Sequence, residues 1–195
     1  MTQPVLYFDL ASPEAYIAAE RAAEVLGVVP EWQPIHLAAL PGAGELDAFR
    51  CAEERDIFRA ELERLAAAHG LQPLRWPPGW PGDTGLAMRV ATYAKSIGRV
   101  VAFSLAAFRQ AFAAGRDLAD PDSVVIAAAA CEMHPAAVLK AADTRGVAEA
   151  LGRATAQAAE AGVRGVPAVR VGARVFHGEA ALQDAADALR GMRAA

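Results

Sequence analysis

Short apolar runs at the two ends of the chain, with almost no strand signal between them, restrict the folds open to it. Val5-Leu6-Tyr7-Phe8-Asp9 reads as a buried strand, which Ala11-Ser12-Pro13-Glu14 breaks. A helical pattern over 13–26 starts at once, with Tyr16, Ala19, Ala23 and Leu26 recurring along one face. Ser12 suits the N-cap, and Pro13 suits the first turn because its missing N–H would have no helical partner anyway. Gly27 ends the helix, and Trp32–Leu37 reads as a second strand. The chain therefore opens β-α-β, a unit with a right-handed crossover and parallel strands. From about 46 to 161 the expected elements are helices, at roughly 46–69, 84–97, 101–115, 121–131, 135–142 and 144–161. Asp120-Pro121 and His134-Pro135 stop one helix and start the next. Alternation returns at Ala168–Val171 and Arg174–His177 around Gly172-Ala173, a hairpin with a two-residue loop, and a last helix is expected at about 179–192.

The order β-α-β, helical block, β-β-α describes an α/β fold, a thioredoxin-like core (β-α-β … β-β-α) with an all-helical insertion, which the resemblance described below makes DsbA-like. The expected organisation is one unit over 1–195, in which 1–40 and 162–195 form the core and 41–161 the insertion. A chain of 195 residues buries enough surface to need no cross-links, and its alanine-rich helices suit close packing. No apolar run approaches the ~18 residues of a membrane span, and no basic stretch precedes an apolar run at the N-terminus. The net charge is −4 with acids and bases interspersed, so neither nucleic acid nor a membrane surface is expected as a partner. Cys51 and Cys131 lie far apart in helical patterns and read as buried thiols of a reducing, cytoplasmic setting. His36, His69, His134 and His177 show no metal-ligand spacing, so no metal is expected.

The chemistry is expected at the first strand-to-helix corner. Thioredoxin-like proteins hold Cys-x-x-Cys there, whereas this chain has Ser12-Pro13-Glu14-Ala15. A serine forms no disulfide, but its hydroxyl can donate a hydrogen bond to another molecule's thiolate. Gly162-Val163-Arg164-Gly165-Val166-Pro167 leads into the hairpin. In thioredoxin-like folds this proline is cis, which costs only about 0.5–1 kcal/mol for an X-Pro bond. That geometry would offer the Val166 N–H and C=O to an extended peptide such as glutathione, by strand addition. The segment 74–85 is too rich in Pro and Gly for helix and carries Trp76 and Trp80. It reads either as a loop over a pocket or as a plain connection with packed indoles. Glu53-Glu54-Arg55-Asp56 reads as a solvated helix face. Gly-x-Ser-x-Gly, Gly-x-x-x-x-Gly-Lys and His-Glu-x-x-His are absent.

Tyr7-Phe8-Asp9-Leu10-Ala11-Ser12-Pro13-Glu14-Ala15-Tyr16 resembles the opening of the 2-hydroxychromene-2-carboxylate isomerase family. That family is kin to the kappa-class glutathione transferases within the DsbA-like branch of the thioredoxin superfamily. Gly165-Val166-Pro167 resembles its second motif, and Val175-Phe176-His177-Gly178 the end of its hairpin. Asp83-Thr84 before a helix with Arg89 is similar to a loop-to-helix junction of the family. The resemblance implies a glutathione-dependent isomerase of aromatic-acid degradation. The thiolate of glutathione, acting as cofactor, would add to an electron-poor alkene, allow rotation and leave. It also implies a homodimer. Alternatives are a kappa-like transferase that consumes the thiol and a non-catalytic DsbA-like binding protein.

By the same resemblance, Ser12 would hold the glutathione sulfur and be the catalytic residue. Val166 and Pro167 would bind the cysteinyl backbone. Glu179 and Ala180, at the start of the last helix, would meet the γ-glutamyl group. Arg75, Trp76, Trp80, Asp83 and Thr84 are the candidates for contacting the aromatic substrate. Two positions depart from the family pattern: Ala168 stands where the family has Thr, and Glu179-Ala180-Ala181 lacks its Asp and Arg. Glu179 reads either as a replacement acid or as an ordinary acid of the first helical turn, while the helix N-terminus still attracts a carboxylate.

Lowering a thiol pKa from about 8.5 to about 6.5 requires about 2.7 kcal/mol. An exposed helix N-terminus supplies only ~0.3–1 kcal/mol. One hydrogen bond to a charged acceptor adds ~1.5–3 kcal/mol, so both effects are needed together.

Overall fold

β1 (Val5–Phe8) owes its unbroken apolar sequence to its position at the centre of the sheet with both faces covered. In the computed structural model, residues 3–41, 49 and 51–194 are described. Helix α1 (Pro13–Leu26) follows β1, and β2 (Glu31–Pro34) pairs parallel with β1, Leu6 opposite Trp32. A single 3₁₀ turn (Leu37–Ala39) comes next. The helical block comprises α2 (Ala52–Ala68), α3 (Gly85–Ser96), α4 (Val100–Phe112), α5 (Pro121–Ala129), α6 (Pro135–Ala142) and α7 (Arg145–Glu160). The chain then returns as β3 (Ala168–Val171), β4 (Arg174–His177) and α8 (Ala181–Ala194). The sheet order among the described residues is β2-β1-β3-β4, with β3 antiparallel to both β1 and β4.

Side chains alternate across β1 and divide the core. Leu6 and Phe8 join α1, α3, α4 and α8 on one face, while Val5 and Tyr7 meet Ala158 of α7 and Val163 on the other. An aromatic seam ties sheet to helical block. Phe8 lies 5.5 Å from Trp32 and 5.9 Å from Phe108, and Tyr16 lies 6.0 Å from Phe108 and 5.8 Å from Phe112. Such pairs contribute about 0.5–1.5 kcal/mol each beyond the area they bury.

This is the DsbA-like thioredoxin fold, with the helices inserted between the two halves of the core. Several local expectations shift. The second strand stops at Pro34 rather than Leu37, because Leu37–Ala39 coil into the 3₁₀ turn. In α1 the buried row contains Ala22, and Ala23 is exposed. The expected helix from 46 falls partly outside the described residues, at 46–48 and 50. Cys51 is extended (φ −156°) and exposed ahead of α2, so it is not the buried helical thiol expected, whereas Cys131 is buried. The last helix begins two residues later than expected, because Gly178 and Ala181 close a turn through Ala181 N–H to Gly178 C=O at 3.1 Å. No helix among the described residues is long and apolar enough to cross a membrane.

Candidate functional site

Ser12 caps α1 as its sequence predicts. It is extended (φ −92°, ψ 116°), and its Oγ accepts from Ala15 N–H at 3.0 Å. Its own N–H donates to Asp9 C=O at 3.1 Å, which closes the corner as a tight turn. The hydroxyl proton is directed to Glu14, with Ser12 Oγ donating to Oε2 at 2.9 Å. A hydroxyl has one proton, so a bound sulfur must compete with this carboxylate for it.

Asp9 supports the corner from below. It is 1% exposed. Oδ1 accepts from Ala11 N–H at 2.9 Å and from Thr84 Oγ1 at 3.0 Å, and Oδ2 accepts from Leu37 N–H at 2.7 Å. Burial pushes its carboxyl above the ordinary range, opposed by the hydrogen bonds from Ala11, Leu37 and Thr84 and by His36 nearby. One side chain thus joins the end of β1, the 3₁₀ turn and the start of α3. Trp80 adds a fourth tie, its Nε1 donating to Ala11 C=O at 3.1 Å.

Opposite the corner, the Val166-Pro167 bond is cis, as is Trp80-Pro81. Neither the N–H nor the C=O of Val166 has a hydrogen-bond partner among the described residues. Ser12, Glu14 and Val166 line one cavity of about 530 Å³ together with Phe49, Phe58 and Trp80. A second cavity of about 610 Å³ adjoins it, with Arg21, Arg64, Pro167 and Glu179 in its walls. Glu14, Phe58, Glu61 and Val166 belong to both linings. The first lobe is faced with aromatic rings: Phe58 and Trp80 stack at 6.0 Å with 3° between planes, and Phe49 lies 5.4 Å from Phe58. Trp76 backs Trp80 at 4.9 Å, and the Arg59 guanidinium lies over both indoles at 5.0 and 5.6 Å. The first lobe also carries the carboxylates Glu14, Glu54 and Glu61, while the cations Arg21 and Arg64 line only the second. Near it, His69 is pulled below the ordinary histidine range by burial, then by Arg21, with Glu179 opposing.

Of the residues singled out from sequence, Ser12, Val166 and Trp80 line the aromatic lobe, and Pro167 and Glu179 line the charged lobe with Val166. Trp76 lies behind Trp80 with its Nε1 donating to Glu63 at 2.7 Å. Thr84 is under the corner, on Asp9. Asp83 caps the start of α3 by accepting from Gly85 N–H at 2.7 Å and stands outside both lobes. Arg75 is exposed, its backbone N–H donating to Phe112 C=O at 2.8 Å, and it also stands outside both. Ala180 is exposed in the turn before α8.

Sequence reasoning missed Glu14, Phe49, Phe58, Arg21 and Arg64. Glu14 carried a legible signal, as an acid two residues after an N-cap serine. Phe58 was hidden behind the charge run 53–56, in which Glu53 and Asp56 are exposed as expected while the half-buried Glu54 lines the aromatic lobe. Among the described residues no group of three or more His, Cys, Asp or Glu side chains is arranged to hold a metal ion.

The profile of the DSBA-like thioredoxin domain matches residues 5–190. Among solved structures, a 2-hydroxychromene-2-carboxylate isomerase superposes with a TM-score of 0.84 at 20% identity, over 97% of this chain and 95% of that one. A probable DsbA oxidoreductase from Streptomyces coelicolor gives 0.81 at 21% identity, over 100% and 91%. The cytosolic disulfide reductase DsbM from Pseudomonas aeruginosa, solved with glutathione, gives 0.67 at 14% identity, over 99% and 100%. At these identities the likeness is one of fold. No curated protein matches the sequence. The profile match, the sheet order and the corner facing a cis-proline agree, and the chain belongs to the DsbA-like thioredoxin-domain family.

Proposed function

We propose that the protein is a cytoplasmic, glutathione-dependent cis–trans isomerase acting on an aromatic carboxylate such as 2-hydroxychromene-2-carboxylate. The observation that carries this reading is a serine, not a cysteine, at the corner that shares a cavity with Val166. Disulfide exchange needs a thiol there, whereas a serine serves a thiol brought by another molecule. In this reading the cysteinyl backbone of glutathione pairs with the unpartnered N–H and C=O of Val166, adding a short strand beside β3. Its sulfur lies at Ser12. Its charged ends lie in the second lobe, where Arg21 and Arg64 offer cations and Glu179 an anion. The aromatic substrate lies against Phe58 and Trp80. The fold likeness to an isomerase of this kind, and to a relative solved with glutathione, supports the reading.

The chemistry is reversible addition. Sulfur bonds to one alkene carbon, the former double bond rotates, and expulsion of sulfur leaves the isomer. Holding both reactants against one wall makes the addition effectively unimolecular. The test is to titrate glutathione calorimetrically, then follow free thiol during turnover of 2-hydroxychromene-2-carboxylate. Full return of thiol is expected. Accumulation of an adduct would instead identify a kappa-like transferase, and absence of glutathione binding would refute the glutathione reading and favour a non-catalytic DsbA-like binding protein.

A further inference from the structure

Gly165-Val166, the two residues that lead into the cis-proline, hang between two hydrogen bonds, and both run to the end of β4. On one side Arg164 N–H donates to His177 Nε2 at 3.2 Å, and on the other Gly178 N–H donates to Pro167 C=O at 3.2 Å. Behind them the loop is anchored on α7, where Val163 N–H donates to Ala158 C=O at 2.9 Å and Val163 is fully buried. Neither Gly165 nor Val166 has a backbone partner of its own among the described residues. The course of the edge that shares the cavity with Ser12 is therefore set from its two ends, and one end is held by a side chain that can change its charge. An imidazole accepts at Nε2 only while that nitrogen is unprotonated, which places the ring proton of the neutral form on Nδ1. Protonation turns Nε2 into a donor facing the Arg164 N–H, and the bond is lost. Gly178, with φ +76°, leads directly to Glu179 in the wall of the charged lobe, so the same clamp sets that residue as well.

Resting on the glutathione reading above, we propose that His177 is a positioning residue for glutathione: neutral, it clamps the Gly165-Val166 edge in the course that receives the cysteinyl backbone, and protonated, it releases that edge. A released edge must be ordered again by the incoming peptide, and that ordering is subtracted from the affinity. Desolvation, then the Arg164 cation, lowers the imidazole below the ordinary histidine range, so the neutral form prevails at pH 7 and release comes below pH 6.5. The charged group that acts on the ring is Arg164, on the facing loop, whose side chain also donates to Ala159 C=O at 3.3 Å. Arg174, at the far end of β4, lies over Phe176 at 4.8 Å. Glu160 at the end of α7, Arg170 on β3, Glu179 before α8 and Asp184 within it are the other charges on the elements around this end of the hairpin. Among the described residues the ring's hydrogen-bond partner is the Arg164 N–H. His69, near the charged lobe, is a second histidine lowered below its ordinary range, and it lies on another element, at the end of α2.

The experiment measures glutathione affinity calorimetrically between about pH 5 and 7.5 for the wild type, His177→Gln and His177→Phe. Gln keeps an acceptor that does not titrate, and Phe keeps a ring without one. Ionisation of the glutathione thiol and of His69 is common to all three proteins and cancels in the ratio of their affinities. At pH 7 His177→Phe should bind about three- to tenfold more weakly than the wild type, the worth of one hydrogen bond, and His177→Gln should bind within about twofold of it. As pH falls through the His177 pKa, the wild type should lose its advantage over His177→Phe and drop below His177→Gln by the same factor. By reciprocity, an NMR titration of the His177 ring in the wild type should show its pKa lowered by about half to one pH unit when glutathione is bound. A wild-type to His177→Gln ratio that does not vary with pH overturns the proposal. So does a ring pKa that glutathione leaves unmoved, or a His177→Phe that binds as tightly as the wild type at pH 7. The ring titration decides the matter even if neither variant folds. Absence of glutathione binding to the wild type refutes instead the reading on which the proposal rests. The clamp is then judged by hydrogen exchange of the Arg164 amide at pH 7, which should be at least about threefold faster in His177→Phe than in His177→Gln, and equal rates overturn it.

Discussion

Trp80 and Ala11 are joined by an indole-to-carbonyl hydrogen bond of 3.1 Å, which fastens the segment before α3 to the residue beside Ser12. The Pro- and Gly-rich loop is thereby a wall of the cavity. Trp80→Phe keeps an aromatic ring but leaves the Ala11 carbonyl without its donor. Ala11 is half-buried at the cavity wall, so the lost hydrogen bond should cost about 0.5–1.5 kcal/mol, and a lower urea midpoint with an unchanged slope should report it.

Ser12 has two separable tasks. Ser12→Ala should lose about 1 kcal/mol of stability through the lost cap, whereas Ser12→Gly should lose only a few tenths. Both should reduce glutathione-dependent turnover to the same extent, at least about tenfold, because either removes a hydrogen bond to a charged group. Thermal unfolding and turnover measured on both variants check this. A turnover that follows stability rather than the presence of the hydroxyl would reduce Ser12 to a helix cap.

Phe108 joins the sheet to the helical block through Phe8 and Tyr16 and is fully buried. Phe108→Ala should cost about 3–5 kcal/mol, because the removed ring leaves a cavity between layers that cannot both relax into it. Denaturant unfolding measures it directly. A loss under about 1 kcal/mol would mean that the seam repacks.

Asp9 carries a pH signature. Its carboxyl is raised above the ordinary range by burial, so the folded state holds this proton more tightly than the unfolded chain does. Its contribution to stability is therefore fully present below the unfolded pKa, near 3.8, and is lost as pH rises through the higher folded value. The stability of the wild type minus that of Asp9→Asn should fall across that window and then level off. An increase with pH would mean that the three hydrogen bonds outweigh burial.

The fold was legible because its signals are local and repeated. β1 is an unbroken apolar run, the hairpin strands alternate, Ser12-Pro13 and Asp120-Pro121 open helices, and Gly27 closes one with φ +64°. The site was legible in part. Ser12 and Val166 could be read because a helix cap and an X-Pro link each have a sequence signature. Phe58 could not, because an aromatic residue on an otherwise charged helix reads the same whether it faces a cavity or the core, and Phe49, expected in that helix, lies ahead of its start at Ala52. Arg75 illustrates the converse. Its place beside two tryptophans suggested the cavity, but the backbone bond to Phe112 and the close approach of Gly115, whose Cβ would lie 3.1 Å from that of Arg75, hold it on the outside. The engagement of the serine proton by Glu14 depends on a rotamer, which no spacing rule encodes.

Val166 and Phe58 both stand in the walls of both lobes. The two chambers therefore have a common partition rather than separate boundaries, and an occupant of one is desolvated on the same surface that the occupant of the other would cover. A bulky group on either guest encroaches on its neighbour's room, so the two are selected jointly by size.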